Sequence, residues 1–472
     1  MRKRLTLLLP GLIALTVLFS CVPDTPDSGL PRIFIATEKG IRPDVKRQGQ
    51  FTLAVNGKEQ VSSFIGVEFR GSTSYRMSDK KSYGFELQNE SGDSRAKSLL
   101  GLPAESDWIL MGHVFRATGD DEFYAWDPTL MHHYIGYELA RDIGMYAARC
   151  RFVELEVNGE YQGVYILMEK LKKDPLRIDV TAPGNSTSAI TGGYILKIDK
   201  TASYAPAGQE LSYYDGNWGD DASYSSYISF RSAYDIEGEV LEADLEPFRP
   251  PYHDQQYRET YFLHEFPKPR DLTLEQRGYI EDYVYDFERS LANETFSGTD
   301  RDYLNYVDLE SFADGFIMNE LTGNIDAYRI STFLHKPRGE KLHFGPIWDL
   351  NIGYGRQGRV PWDDWIANYN DYVATDAWMV PFWWQKWLDD PVFKELVKKR
   401  WSNYRNGALS NAAVLHLVDD TERLLQETGG LERNYEKWRA TNATVNHAGE
   451  VDFLRTYLTQ RLAWMDSEIG SW

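Results

Sequence analysis

Cysteine is scarce in this chain, since Cys21 and Cys150 are the only two among 472 residues. Cys150 stands among small and apolar residues, which predicts a buried, unreactive thiol rather than a nucleophile. His132 and His133 are adjacent rather than one helical turn apart, so no Cys/His set has the spacing of a zinc site. If Cys21 carries a lipid, no intramolecular disulfide is available either.

Positively charged residues are fewer than negatively charged ones. Lys and Arg number 51 against 71 Asp and Glu, which gives a formal net charge of −20. Loss of Arg2, Lys3 and Arg4 with a cleaved N-terminal segment would lower that charge to −23. A surface this acidic excludes nonspecific nucleic-acid binding and a polybasic membrane patch.

Long apolar runs are missing except at the N-terminus. Residues 1–4 are basic and residues 5–19 are apolar but too few to span a bilayer, which predicts a signal peptide over residues 1–20. The sequence Leu-Phe-Ser-Cys that ends at Cys21 resembles a bacterial lipobox, and residues 21–30 form a Pro/Asp/Ser tether. We therefore predict an exported protein attached to the cell envelope through a lipid on Cys21. Phe19 is unusual in a lipobox, so ordinary signal-peptide cleavage and an uncleaved anchor are the alternatives.

The remaining chain predicts an α+β protein in three parts. Residues 31–200 carry mainly strands, residues 201–262 form an irregular insertion, and residues 263–472 are mostly helical. Asn158-Gly159 is the clearest hairpin signal. The predicted strands are 33–36, 51–55, 64–69, 83–87, 151–157, 161–168, 227–230, 331–335 and 342–347.

Helix starts and stops are marked by capping residues. Asp127 is the predicted N-cap of a helix that stops at Gly144, with a buried stripe of apolar side chains at i+4 spacing. Further helices are predicted from the capping box of Thr273 and Gln276, from Asp308 and from Asp390-Pro391. Three more are predicted in the tail 410–472. The buried stripe of the first helix is Met131, Ile135, Leu139 and Ile143.

Aromatic residues are abundant, with 14 Trp and 30 Tyr. A dense run between residues 362 and 387 predicts either the core of a helical region, which is the more common case, or an exposed face that stacks on sugars. The run comprises Trp362, Trp365, Tyr369, Tyr372, Trp378, Phe382, Trp383, Trp384 and Trp387.

Two acidic motifs carry the main chemical signal. Residues 319–326 read Asn-Glu-Leu-Thr-Gly-Asn-Ile-Asp, and residues 345–351 read Gly-Pro-Ile-Trp-Asp-Leu-Asn. Asp326 is either a catalytic carboxylate or a loop-ordering C-cap residue. Asp349 and Asn351 follow a predicted strand and offer two oxygen ligands for Mg²⁺ or Mn²⁺, although Asp and Asn also favour turns. Phosphoryl transfer needs one carboxylate to orient a hydroxyl and another to hold the metal.

Candidate phosphate-binding cations lie far upstream. Arg70 precedes a loop of small residues, Lys81 opens the next strand, and such a loop can lie over phosphates. Lys197 is a further single-Lys candidate. The alternative for each is an ordinary solvated residue, and the Walker spacing is not met.

Together these blocks resemble the CotH kinase family, named for a spore coat protein H. The resemblance covers roughly residues 60–400. It rests on the ordered succession of Arg70-Gly71-Ser72-Thr73-Ser74, Lys81-Ser82-Tyr83, Leu99-Leu100-Gly101-Leu102, Asp107-Trp108-Ile109-Leu110, the segment 157–165, Gly193-Tyr194-Ile195-Leu196-Lys197 and the two acidic motifs.

That resemblance implies a reduced two-lobed protein-kinase-like fold, with a β-rich N-terminal lobe and a helical C-terminal lobe. It implies that Asp326 is the catalytic-loop Asp and Asp349 the metal-binding Asp, with Arg70 and Lys81 on phosphates. Two departures stand out. Asn351 replaces a second Asp, and His132-His133 replaces an Arg-Asn pair that the family often shows.

The sequence thus predicts an Mg²⁺- or Mn²⁺-dependent kinase that moves the γ-phosphate of ATP to Ser or Thr of a protein. An exported protein meets little ATP, however, so a catalytically idle surface lipoprotein is the first alternative. It would bind glycan or protein through the aromatic run and the insertion. A hydrolase that uses Asp326 and Asp349 as paired carboxylates is the second.

Overall fold

The computed structural model describes most of the chain after the predicted tether. The described residues are 29–43, 45–71, 73–117, 123–199, 226–241, 258–293, 301–356, 358–373, 376, 378–438 and 446–472. The predicted signal peptide and Cys21 lie outside them, as does most of the predicted insertion. In the described ranges, no helix is both long and apolar enough to cross a membrane.

Seven strands pair into one closed sheet, in the order β1-β2-β3-β4-β5-β9-β8. Strand β1 pairs with β8 in parallel to close it, and every other pair is antiparallel. Its interior is filled by fully buried side chains such as Ile33, Phe51, Phe85, Trp108 and Leu155. The strands are β1 (Arg32–Thr37), β2 (Arg47–Val55), β3 (Lys58–Arg70), β4 (Ser82–Gln88), β5 (Asp107–Met111), β8 (Cys150–Val157) and β9 (Glu160–Glu169), with β6 (Phe115–Ala117) and β7 (Phe123–Ala125) forming a separate hairpin.

A second, antiparallel sheet has the order β11-β12-β10-β13-β14. Its strands come from distant parts of the chain, and Lys197, on the central strand, is paired with Leu263 and Phe333 on the two neighbouring strands. The strands are β10 (Tyr194–Ile198), β11 (Ser229–Arg231), β12 (Tyr261–Phe266), β13 (Thr332–Lys336) and β14 (His343–Phe344).

Ten α-helices occur among the described residues, most of them after residue 273. Their N-caps confirm several predictions: Thr273 and Gln276 form a capping box, and Asp308, Asp390 and Ser410 each accept a hydrogen bond from a backbone N–H of the first turn. The helices are α1 (Thr73–Met77), α2 (His132–Asp142), α3 (Leu274–Ala292), α4 (Leu309–Thr322), α5 (Tyr369–Tyr372), α6 (Trp383–Asp389), α7 (Pro391–Arg405), α8 (Asn411–Glu427), α9 (Gly430–Trp438) and α10 (His447–Ser471).

The prediction that Asp127 is the N-cap of α2 is wrong. The helix begins at His132 with Met131 as its N-cap, because Leu130 adopts a positive φ of 67° that no helix continues. The carboxylate of Asp127 still accepts a hydrogen bond from the His132 N–H at 2.9 Å, so it stabilises the helix start from outside. The predicted buried stripe of this helix is confirmed, with each member less than 9% exposed.

The aromatic run is mainly core. Trp365 and Trp378 are buried, and Trp383, Trp384 and Trp387 are almost fully so. They pack with the aromatic residues of α3 and α4. Trp362 and Tyr372 are the members of the run that stand exposed, each at 45%. The interpretation as core is therefore confirmed for most of the run, and the mixed α+β class is confirmed as well. The kinase-like two-lobed arrangement stays a prediction.

Candidate functional site

Asn324 connects the two acidic motifs. Its Oδ1 accepts a hydrogen bond from the Asp326 backbone N–H at 3.2 Å, and its Nδ2 donates to the Trp348 carbonyl at 3.4 Å. The Asn324 side chain is almost fully buried, so water competes little for these bonds. Two segments that are distant in sequence, each with one candidate carboxylate, are thus fixed against one another.

The turn after α4 sets the position of Asn324. Gly323 ends the helix in the left-handed region with φ of 54°. A Cβ at this position would lie 2.1 Å from the Tyr457 hydroxyl oxygen on α10. Both the backbone conformation and the close approach of α10 therefore require glycine here.

Asp326 lies near the protein surface with 15% of its side chain exposed. Its Oδ1 accepts a hydrogen bond from Arg329 Nη2 at 2.7 Å. Arg329 is itself buried and donates to the carbonyls of Ile325 and Trp378 at 2.7 and 3.0 Å. Arg329 thus fixes the orientation of the Asp326 carboxylate, whose oxygens can accept a hydrogen bond from a substrate hydroxyl.

Glu320 serves a structural purpose in the same helix. Its fully buried carboxylate accepts hydrogen bonds from Tyr328 Oη at 2.9 Å and from Arg461 Nη2 at 2.9 Å. The N–H groups of Ile366 and Ala367 donate to it as well. The contact with Arg461 ties α4 to α10.

Asp349 occupies an unusual backbone conformation in the loop after β14. Its φ is 62°, in the left-handed region that L-residues rarely adopt, although Asp tolerates it better than most. One third of its side chain is exposed. Its N–H donates to Tyr137 Oη at 3.3 Å. A non-glycine residue keeps this conformation only when the surrounding structure imposes it. Such residues are frequent at functional sites.

One face of α2 holds the loop that carries Asp349. His132 Nδ1 lies 3.2 Å from the Asn351 carbonyl oxygen, and His133 Nε2 lies 3.6 Å from Asp349 Oδ1. A Cβ on Gly136 would be only 2.1 Å from Leu350 Cδ1, so glycine lets the loop approach the helix. The sequence analysis missed Gly136 and Tyr137, because no local pattern relates a helix to a loop more than 200 residues away.

The charge of Asp349 affects the pKa of the neighbouring Tyr137. Burial first, and the Asp349 charge after it, raise the pKa of Tyr137 well above its ordinary value. The Tyr137 phenol therefore stays protonated, and its oxygen accepts the Asp349 N–H. Asn351 is buried, and its backbone carbonyl oxygen accepts a hydrogen bond from His132 Nδ1.

Metal binding by Asp349 and Asn351 stays a prediction. Across the described ranges, no group of three or more His, Cys, Asp or Glu could hold a metal ion. Asp349 and the side-chain oxygen of Asn351 offer two hard donors. That number fits Mg²⁺, which keeps several waters and takes phosphate oxygens from the substrate.

Two of the predicted phosphate-binding cations lie close to Asp349. The Arg70 guanidinium is 5.9 Å from the centre of the Trp348 ring, adjacent in sequence to Asp349. Burial lowers the pKa of Lys197, but the charges of Asp199, Glu265 and Asp349 outweigh it, so this pKa is raised overall. Lys197 also forms an ion pair with Asp199. The structure thus brings Arg70 against Trp348 and places Lys197 within electrostatic range of Asp349.

Lys81 is engaged differently. Its ammonium group donates to the carbonyls of Tyr75 and Ser78 at 2.6 and 2.7 Å and lies 4.6 Å from the centre of the Tyr75 ring. Burial lowers its pKa, only partly offset by Asp79. Lys81 therefore fixes α1, which follows the Arg70 loop, and its contact with phosphate stays a prediction.

The comparisons with known proteins agree with these motifs. No curated protein matches the chain. The family model described as CotH kinase protein matches residues 67–465, which include Arg70, Lys197 and both acidic motifs. Membership of that family indicates a kinase-like function. The chain belongs to the CotH kinase family.

Proposed function

We propose that this protein transfers the γ-phosphate of ATP to a Ser or Thr hydroxyl of a protein substrate. The reaction would require Mg²⁺ or Mn²⁺. The observation that carries the proposal is the contact between Asn324 and the Trp348 carbonyl. It holds the Asp326 loop against the Asp349 loop, and phosphoryl transfer needs two carboxylates with separate tasks in one site.

All the predicted catalytic, metal and phosphate-binding residues except Lys81 have a task in this proposal. Asp326, oriented by Arg329, accepts the hydrogen bond of the attacking hydroxyl and positions its oxygen. Asp349 and Asn351 would hold the divalent ion, which supplies positive charge against the nucleotide phosphates when bound. Arg70 and Lys197 stabilise the negative charge that develops on the transferred group.

The electrostatic setting supports this assignment. The whole chain carries a net charge of −20, so an anionic nucleotide is repelled by most of the surface. Fixed cations on β3 and β10 near Asp349 provide local attraction. Cations held in place by protein contacts also stabilise transition-state charge without reorganising during the reaction.

The test is phosphate transfer from γ-labelled ATP by the purified protein with Mg²⁺ or Mn²⁺. Asp326→Asn and Asp349→Asn should each abolish transfer, while Asp452→Asn, on the exposed face of α10, should leave it intact. Nucleotide should raise the melting temperature of the wild type. Full activity in the Asp349 variant would disprove the metal assignment. Absence of both transfer and nucleotide-dependent stabilisation in the wild type would disprove the kinase.

We further propose that the chain is exported and held at the cell envelope by a lipid on Cys21. A lipid chain attaches a protein to a membrane without any spanning helix. Cys21→Ala should move the protein from the membrane fraction to the soluble fraction. If the variant stays in the membrane fraction, the anchor lies elsewhere.

A further inference from the structure

His133 is a buried histidine without the contacts that such residues normally make. It is 1% exposed, and both ring nitrogens are buried without a hydrogen-bond partner. Buried polar atoms almost always have partners, so each exception calls for an explanation. Its Nε2 lies 3.6 Å from Oδ1 of the candidate metal-binding carboxylate Asp349, beyond hydrogen-bond distance.

The neighbouring histidine, His132, has the contacts expected of a structural residue. His132 Nδ1 is paired with the Asn351 carbonyl oxygen at 3.2 Å, and its Nε2 faces Asp127 Oδ1 at 3.5 Å. His133 differs because neither of its ring nitrogens has a hydrogen-bond partner, while its ring packs edge-on against Tyr137 with 5.8 Å between ring centres. The same helix face thus carries one histidine that orders the loop and one whose nitrogen is turned to Asp349.

We infer that His133 and Asp349 together form a cation site that favours a first-row transition ion over Mg²⁺. Two donors bound to one ion at about 2.1 Å each lie roughly 3.0 to 3.4 Å apart, close to the observed separation. Imidazole nitrogen binds transition ions such as Co²⁺ or Zn²⁺ well, whereas Mg²⁺ prefers oxygen. This inference rests on the proposed role of Asp349 as a cation ligand.

The inference can be tested without turnover by titrating the purified protein with Co²⁺ and, separately, with Mg²⁺. Co²⁺ binding is followed by its visible absorption, which responds to a nitrogen ligand. His133→Phe keeps a ring of similar size but removes the nitrogens, and should weaken Co²⁺ binding by about tenfold or more. Mg²⁺ binding should fall far less than Co²⁺ binding, because Mg²⁺ prefers oxygen ligands. Unchanged Co²⁺ affinity in this variant would overturn the inference.

His133→Gln separates ligation from hydrogen bonding. The glutamine amide can still form a hydrogen bond to Asp349, but it offers oxygen instead of imidazole nitrogen. It should lose the preference for Co²⁺ and retain Mg²⁺ binding. Retention of the full Co²⁺ preference would show that the nitrogen is not a ligand and would overturn the inference.

His264 provides a matched control. It is also buried, its Nε2 has no hydrogen-bond partner, and it lies 3.9 Å from Glu281 Oε1. It pairs with Leu196, next to Lys197, and so faces the other side of the sheet. His264→Phe should leave Co²⁺ binding unchanged, and an equal loss there would overturn the inference. Asp349→Asn should abolish binding of both ions. If it does not, the proposed function fails, independently of His133.

Discussion

The side-chain amide of Asn324 donates a hydrogen bond to the carbonyl of Trp348 over 3.4 Å, and no other side chain could easily replace it. The same side chain accepts the Asp326 N–H through its oxygen. One residue therefore satisfies a donor in one loop and an acceptor in the other. An aspartate could accept but not donate, and a leucine could do neither.

Asn324→Ala should separate the two loops. The buried Trp348 carbonyl and Asp326 N–H would lose their partner, at a cost of about 1–3 kcal/mol in the free energy of unfolding. Because a small misplacement of catalytic groups is costly, phosphate transfer should fall by about 100-fold. Urea denaturation and the labelled-ATP assay measure the two effects.

Asn406→Ala is the control for this change. Asn406 Nδ2 also donates to a backbone carbonyl, that of Ser402 at 2.8 Å, but at the exposed end of α7. Both stability and transfer should be nearly unchanged in that variant. Equal transfer rates in the two variants would contradict the bridging role of Asn324.

Gly136→Ala should disturb the Asp349 loop from the opposite side. The added Cβ would lie 2.1 Å from Leu350 Cδ1 and 3.0 Å from Tyr354 Oη, so the Leu350 side chain or the loop that carries it must shift. Overpacking of this kind costs about 1–3 kcal/mol. Transfer should fall more than stability suggests, because Leu350 is adjacent to Asp349. Steady-state kinetics beside thermal unfolding will separate the two effects.

Gly278→Ala gives the comparison within another helix. Nothing lies within 4 Å of a Cβ at Gly278, on the solvent side of α3. Alanine should stabilise the protein there by up to about 1 kcal/mol through its better helix propensity and leave transfer intact. Unaltered transfer in the Gly136 variant would show that the close approach of α2 is not needed for catalysis.

Much of the fold could be predicted from capping and turn residues, which act on residues close to them in sequence. The capping box of Thr273 and the Asp390-Pro391 start are local hydrogen-bonding and backbone rules, and α3 and α7 begin where those rules place them. Asn158-Gly159 likewise forms the turn between β8 and β9, with both residues at positive φ. The failure at Asp127 has a local cause too, since an Asp five residues upstream of His132 reaches the helix start without being its N-cap.

The architecture of the site could be predicted only in part. The motifs of Asp326 and Asp349 could be located from sequence, but their connection through Asn324 depends on tertiary packing. The same holds for the pairing of Glu320 with Arg461, 141 residues apart. Lys81 shows the converse, because a cation beside a small-residue loop can bind backbone carbonyls as readily as phosphate.

Arg461→Met should destabilise the protein strongly. Arg461 is fully buried, donates to Glu320 Oε2 at 2.9 Å and to the Glu320 carbonyl at 2.7 Å, and also binds the Trp362 carbonyl. Its removal leaves the Glu320 carboxylate buried without its cation, which costs about 3–5 kcal/mol. Urea denaturation measures the loss.

A second substitution tests the cause of that loss. Glu320→Gln in the Arg461→Met background removes the uncompensated charge and should restore part of the stability. Arg455→Met, on the same helix, removes partly exposed ion pairs with Asp419 and Glu422 and should cost no more than about 1 kcal/mol. A cost for Arg461→Met no larger than for Arg455→Met would show that the buried pair contributes little.

Glu288 gives the protein a stability that depends on pH. It is almost fully buried on α3, where Ser232 Oγ donates to Oε2 at 2.8 Å and Trp383 Nε1 donates to Oε1 at 3.1 Å. Burial raises its pKa from 4.5 to about 8, against the smaller opposing effect of these two hydrogen bonds. The folded protein therefore holds a proton that the unfolded chain has already released at neutral pH.

The contribution of Glu288 to stability should accordingly fall as pH rises from about 4.5 to about 8, by at most about 1.4 kcal/mol per pH unit. Glu288→Gln carries no titrating proton; its oxygen can still accept from Trp383 Nε1, and its amide nitrogen can donate to Ser232 Oγ with the direction of that bond reversed. The stability of the variant should therefore lose this part of the pH dependence. Urea denaturation of wild type and variant at several pH values gives the difference. Asp282→Asn, exposed on the same helix, should follow the wild type. If the free energy of unfolding varies with pH in the same way for wild type and Glu288→Gln, Glu288 is already ionised in the folded protein at neutral pH. The hydrogen bonds from Ser232 and Trp383 would then offset the effect of burial on this carboxylate.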